Sequence, residues 1–270
     1  MFIQDINPIL FETSIFTIRW YGLFLALGVT TVVAVLHRLY IQKKFPKDFA
    51  LDMSLWLIIG GLIGARLGHA IFYNPNFFLH HPFEIFFINH GGLASHGMIL
   101  GILMSLYIYT KKKKILFKDI IDILVIPLPL LATFIRFGNF FNSEIIGTIT
   151  NVPWAVHLTY IDTAIAYRHP VQLYEALLGL FVFGISYVVY KRYKLQETNK
   201  EQMTRFKQPY AITALVIFLY FTGRFIAEFF KARMVFEHGL SMGQWLSIPF
   251  IMISIGWFSF TYYRRHGIRN

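Results

Sequence analysis

Residues 15–36 read IFTIRWYGLFLALGVTTVVAVL, 22 residues whose only charge is Arg19 near the start. A helix of that length crosses the roughly 30 Å of hydrocarbon in a bilayer. A basic group follows it: Arg38, Lys43, Lys44 and Lys47. This alternation of apolar span and charged connection continues down the chain. Comparable stretches run from Met53 to Tyr73, Gly97 to Tyr109, Ile120 to Phe137, Val171 to Tyr190, Tyr210 to Phe230 and Gln244 to Tyr263. The Gly97 stretch is short, and its start can reach back to Leu93.

Three further basic groups are Lys111, Lys112, Lys113, Lys114 and Lys118; Lys191, Arg192, Lys194, Lys200, Arg205 and Lys207; and Arg264, Arg265 and Arg269. Together the four groups hold 18 of the 25 Lys and Arg. They occupy alternate connections and the C-terminus, so the positive-inside rule places them all in the cytoplasm. The expected fold is an all-α polytopic membrane protein of seven transmembrane helices, N-terminus outside and C-terminus cytoplasmic. It forms a single integral-membrane domain over residues 1–270.

Composition agrees. Of 270 residues, 56% are hydrophobic and 14% charged, with a mean hydropathy of +0.54, against about 45–50% and about 25% in soluble domains. Disorder is excluded. The net charge of +11 would suit nucleic acid, but cations beside apolar spans set topology and touch anionic lipid, so membrane lipid is the expected partner and nucleic acid is not. The chain has no cysteine, which removes disulfides, thiolate metal sites and a cysteine nucleophile. Met1 to Ser14 contains Asp5 and Glu12 but no basic residue, so no cleavable signal peptide is expected.

Two outward connections stand out. Residues 74–92 are aromatic-rich with Pro75 and Pro82, as in an interfacial loop, and residues 138–170 form a long external loop able to cover a site. No internal repeat or second domain is visible.

Seven cations remain: Arg19, Arg66, Arg136, Arg168, Arg224, Lys231 and Arg233. Most fall in spans or at their outer ends, where a cation is expensive unless it meets protein, water or an anion. Arg224 and Glu228 are four apart and can pair on one helix face. Arg66 and His69 are three apart; for Arg66 and Arg19, snorkelling or tying helices together competes evenly with function. The stretch Arg136-Phe-Gly-Asn139-Phe-Phe-Asn142-Ser-Glu144-Ile-Ile-Gly147 follows a span disturbed by Pro127 and Pro129, and its glycines allow close backbone approach. Its arginine needs an anion, and the abundant membrane anion is a lipid phosphate, which a guanidinium grips with two parallel hydrogen bonds. Arg224 could clamp the same group.

His90-Gly-Gly-Leu-Ala-Ser-His96-Gly97 offers proton exchange among small neighbours. His96, at a helix start, is the better catalytic candidate, and His90 suits an interfacial role. No His/Asp/Glu set completes a metal site, so no metal and no cofactor are expected. Arg168-His-Pro-Val-Gln172-Leu-Tyr174-Glu175 places Gln172 and Glu175 on one face. Tyr21, after Arg19-Trp20, fits the aromatic belt by default. These polar groups gather at the outer ends of spans one, three, four, five and six.

Together the motifs resemble those of the bacterial prolipoprotein diacylglyceryl transferase family. Its signature is matched by the Arg136 to Gly147 stretch, and Arg19-Trp-Tyr21-Gly22, Gly91-Gly92-Leu-Ala-Ser-His96-Gly97, the Arg168 to Glu175 stretch, Gly223-Arg224-Phe-Ile-Ala-Glu228 and Leu240-Ser-Met-Gly-Gln244-Trp-Leu-Ser are similar to further family blocks in order. Small departures occur at Ile135, at Met98 and in Phe-Phe-Lys231-Ala-Arg233.

The resemblance implies a seven-span enzyme of the bacterial cytoplasmic membrane, its active site toward the outer face. The enzyme moves the diacylglyceryl group of phosphatidylglycerol to the lipobox cysteine of a prolipoprotein signal peptide, leaving a thioether and glycerol phosphate. It implies headgroup binding at Arg136, Arg224 joining it at the reacting centre, His96 as base, and important positions at Tyr21, Asn139, Glu144, Gly147 and Glu228, with Glu228 expected to orient Arg224. The missing cysteine then fits, because the reacting thiol arrives with the substrate. A flippase would show repeated halves and midplane sites, and a lipid-binding scaffold would need neither His96 nor the Arg224 and Glu228 pair.

Overall fold

The computed structural model describes residues 1–14, 16–87, 91–162, 164–197, 209–232 and 239–266. His90 and Arg233 lie outside them. Its long helices are α1 (Trp20–Gln42), α2 (Phe49–Phe72), α4 (Ser95–Lys113), α7 (Val171–Glu197), α8 (Ala211–Ala227) and α9 (Met242–His266). Shorter ones are α3 (Pro75–His80), α5 (Phe117–Leu124) and α6 (Leu128–Phe141). Six helices among the described residues are long and apolar enough to cross a membrane: α1, α2, the run Phe117–Phe141, Val171–Tyr193 of α7, Ala211–Phe230 and Met242–Tyr263. The chain is thus a helical, polytopic membrane protein. α4 is interrupted by no proline but ends in Lys111, Lys112 and Lys113, so it is not among the six.

The structure refines the sequence reading at three places. The first span starts at Trp20 because Thr17–Arg19 form strand β3, which pairs antiparallel with β2 (Ile9–Glu12). The β-branched Thr17 and Ile18 suit that ladder. A second two-stranded sheet joins β1 (Phe2–Gln4) in parallel to β4 (Val156–Leu158), so two small sheets accompany the helices of an otherwise all-α protein. The fourth span breaks between α5 and α6, where Pro127 precedes the first turn of α6 and cannot donate a helical hydrogen bond.

The backbone divides into two compact units, one of residues 1–34 with 121–270, the other of residues 35–120. In the smaller unit α2 packs on α4 through glycine. A Cβ at Gly64 would lie 2.3 Å from the Gly97 carbonyl oxygen, and one at Gly101 2.1 Å from the Gly60 carbonyl oxygen. Gly60, Gly64 and Gly68 thus meet Gly97, Gly101 and Ser105, the small-residue contact that lets membrane helices touch backbone to backbone. Arg66 is buried, and its guanidinium donates to the carbonyls of Glu84, Ile85, Phe87, Gly91 and Gly92. With every edge committed to backbone, Arg66 organises the connection after α2 and has no edge left for a ligand.

In the larger unit α6 lies on α7 and α7 on α8. Gly179 makes room for the first contact, since a Cβ there would sit 2.3 Å from Thr133 Oγ1. The Thr133 hydroxyl hydrogen-bonds to Pro129 and Ala176 carbonyls across it.

Candidate headgroup-binding site

α6 carries Arg136 and Asn139 one turn apart on the side facing α7. The Arg136 Nε pairs with Glu175 Oε2 on α7 at 2.8 Å, and its Nη1 donates to Asn139 Oδ1 at 3.0 Å. Asn139 Nδ2 in turn donates to Glu144 Oε2 at 2.8 Å. Glu144 reaches back because α6 ends at Phe141 and Ser143 and Ile145 take left-handed backbone, φ 55° and 56°. Its amide donates to the Asn139 carbonyl at 2.8 Å, its second carboxylate oxygen accepts from Asn142, and its carbonyl accepts from Gln172 at 2.6 Å. From the other side Gln4 of β1, fully buried, accepts from the Ser143 hydroxyl and donates to the Phe140 carbonyl.

This chain fixes a guanidinium that is only 11% exposed. Nε is ion-paired with Glu175, whose Oε2 has no hydrogen-bond partner among the described residues, and one N–H of Nη1 is hydrogen-bonded, while Nη2 makes no hydrogen bond among them. The remaining edge matches two oxygens of a phosphate. Tyr21, in the first turn of α1, packs on Gly138, where a Cβ would come within 3.0 Å of its Cα and ring, and its hydroxyl lies in the fields of Glu144 and Arg136.

Beyond Glu144 the chain runs antiparallel to residues 230–232. Thr148 N donates to the Phe230 carbonyl at 2.8 Å and Ala232 N to the Ile146 carbonyl at 2.9 Å, with Gly147 opposite Lys231. Gly147 is needed there because a Cβ would sit 2.1 Å from the His169 carbonyl oxygen. The ladder delivers Lys231 to two carboxylates, with Nζ 3.1 Å from Glu175 Oε1 and 2.8 Å from Glu228 Oε2. This corrects the expected pairing of Arg224 with Glu228. Arg224, half-buried on α8, makes no hydrogen bond or ion pair among the described residues, though it feels the charge of Glu228.

The larger unit therefore gathers Tyr21, Arg136, Asn139, Glu144, Gly147, Arg224 and Glu228. It adds Glu175 and Lys231, which the sequence offered only as a helix-face residue and an unassigned cation. Their pairing joins segments far apart in the chain, which no local spacing encodes. Beside it lies an apolar cavity of about 380 Å³ lined by Trp154, Tyr174, Leu178, Ile226 and Phe230, among others. His96 belongs to the smaller unit, where it is exposed in the first turn of α4, with no hydrogen-bonding partner among the described residues.

A sequence model of the family described as prolipoprotein diacylglyceryl transferase matches residues 8–260. The chain belongs to that family. Relatives named phosphatidylglycerol–prolipoprotein diacylglyceryl transferase include those of Chloroherpeton thalassium, 38% identical over 93% of this chain and 91% of theirs, and Bacteroides fragilis, 38% identical over 97% and 96%. That of Tolumonas auensis is 36% identical over 94% and 95%. These three relatives match this chain almost end to end, so the match covers both units.

The connection between α6 and α7 is braced by a further ion pair. Arg168 Nε and Nη2 donate to Asp162 Oδ2 and Oδ1 at 2.8 and 2.7 Å, while its Nη1 donates to the Gly147 carbonyl at 3.1 Å. The Arg168 hydrogen bonds hold the Asp162 carboxyl below the usual carboxylate range. The folded protein thus takes up this proton less readily than the unfolded chain, so the pair's stabilisation is complete above about pH 4 and fades as pH falls through the lower folded value. Asp162→Asn is expected to lower stability by about 1.5–3 kcal/mol at neutral pH. It should also flatten the acid limb of a plot of melting midpoint against pH, measured in detergent between about pH 3 and 7.

Proposed function

We propose that this chain transfers the diacylglyceryl group of phosphatidylglycerol to the lipobox cysteine thiol of a prolipoprotein signal peptide, releasing glycerol phosphate. It acts in the bacterial cytoplasmic membrane as one catalytic domain over residues 1–270, with α4 as the seventh span, the N-terminus and active site outside, and residues 138–170 as an external loop. The alternation of basic connections supports that topology. The observation that carries the chemistry is the Arg136 guanidinium, locked through Nε and Nη1 with its remaining edge open.

Arg136 and Arg224 hold the headgroup phosphate. As the thiol sulfur bonds to the glycerol carbon, the carbon–oxygen bond to phosphate breaks, and the charge growing on the leaving oxygen is stabilised by donors already in place. Asn139 and Glu144 orient Arg136, Tyr21 closes the site over Gly138, and Gly147 carries the chain past His169. A thiol with a pKa of about 8.5 is mostly protonated at neutral pH, and His96, exposed among small neighbours, accepts its proton.

Purified protein incubated with phosphatidylglycerol and a lipobox peptide should add a diacylglyceryl mass to the peptide by mass spectrometry. Movement of lipid between leaflets with no mass shift would replace this reading with a flippase. His96→Gln is expected to lower kcat by about 100-fold or more with KM for phosphatidylglycerol little changed, the size of a lost general base. A normal rate across pH would remove His96 from this role.

A further inference from the structure

Residues four apart on an α-helix are neighbours, and Arg224 and Glu228 hold that relation, since the Glu228 amide still donates to the Arg224 carbonyl. The two side chains nonetheless do not pair. Past Ala227 the residues Glu228–Phe230 tighten into a 3₁₀ turn, in which residues three apart eclipse, and Lys231 takes the Glu228 carboxylate. The lysine's backbone is fixed by the ladder to residues 146–148, and its ammonium is only 11% exposed. Glu228 is also confined by α9, since a Cβ at Gly243 would lie 2.8 Å from the carboxylate. Arg224 is left half-buried beside a carboxylate it does not pair with.

Such an arrangement needs a competing cation. We propose that Lys231 is a positioning residue that draws the Glu228 carboxylate away from Arg224, and the Glu175 carboxylate partly from Arg136, so that both guanidiniums stay open to an anionic headgroup. The proposal rests on the reading of Arg224 as a phosphate ligand. The charges are consistent with it: Arg136, Arg224 and Lys231 face Glu144, Glu175 and Glu228, three against three. Without Lys231 the Glu228 carboxylate, already in the field of Arg224, can turn to it, and an incoming phosphate diester would first have to displace that carboxylate. The cost would fall on binding, before any bond is made or broken.

The test is steady-state transfer to a lipobox peptide with phosphatidylglycerol varied, in the purified full-length chain, with melting midpoints for every variant. Lys231→Met should raise KM for phosphatidylglycerol by about tenfold or more with a smaller change in kcat. Lys231→Arg, which keeps a cation able to reach both carboxylates, should stay within about threefold. The deciding variant is Lys231→Met with Glu228→Gln, which removes the captor as well as its decoy; KM should recover most of the way, which no general loss of packing would produce. An unchanged KM in Lys231→Met, or a loss that Glu228→Gln does not relieve, overturns the proposal. If Lys231→Met does not fold, Glu228→Gln with Lys231→Arg decides: a KM above that of Lys231→Arg alone also overturns it. Arg224→Gln separates the two readings. Transfer at the normal rate there removes Arg224 as a ligand and the proposal with it, whereas collapse there beside an unrelieved Lys231→Met defeats the lysine's role alone.

Discussion

Arg136→Lys is expected to reduce kcat/KM for diacylglyceryl transfer by at least about 100-fold while leaving the protein folded. Loss of one preorganised donor at developing charge costs about 100- to 1,000-fold, close to 3–4 kcal/mol. Here one planar group does three things: Nε meets Glu175, Nη1 meets Asn139, and Nη2 is left without a hydrogen bond among the described residues. A lysine keeps the charge and can hold Glu175, which protects the fold from an unpaired buried carboxylate. It has a single nitrogen, so it cannot also hold Asn139 and present a flat pair of donors to phosphate. The measurement is transfer to a lipobox peptide by the purified variant, with its melting midpoint beside it. Near-normal transfer would show that charge alone suffices and would end the clamp reading.

The sequence made the membrane helices and the Arg136 stretch legible because both are local. Length and hydropathy identify a span, and Pro127 announces the break before α6. The strand Thr17–Arg19, partner of Ile9–Glu12, was hidden inside an apolar run, since β-branched and aromatic residues serve an interfacial strand and a helix end equally well. The expected Arg224 to Glu228 pair does not form although the backbone keeps the four-residue relation, because Lys231, brought in by the ladder to residues 146–148, holds the Glu228 carboxylate. The buried links of Glu175 to Arg136 and Lys231 depend on how α6, α7 and the strand-like segments meet, which periodicity does not report. One signal was open to reading: the fourfold spacing of Gly60, Gly64 and Gly68, matched by Gly97 and Gly101.

That spacing carries the second large effect, on stability. Gly64→Val should lower the melting midpoint in detergent by about 10 °C or more, the consequence of about 3 kcal/mol of overpacking in a chain of this size. The estimate follows from what the added carbon meets. Its neighbours would be the Gly97 carbonyl oxygen at 2.3 Å and the Gly101 Cα at 2.7 Å. These are backbone atoms inside a helix, so no rotamer change relieves the clash and α2 must separate from α4. Separation would also break the hydrogen bond from Ala94 N to the Ala65 carbonyl, which seats the turn before His96. Gly256→Ala is the matched control, because a Cβ on that α9 residue meets nothing within 4 Å and alanine is the better helix former. Its midpoint should not fall. A Gly64→Val protein that melts like the parent would mean that the two helices do not meet backbone to backbone at this crossing.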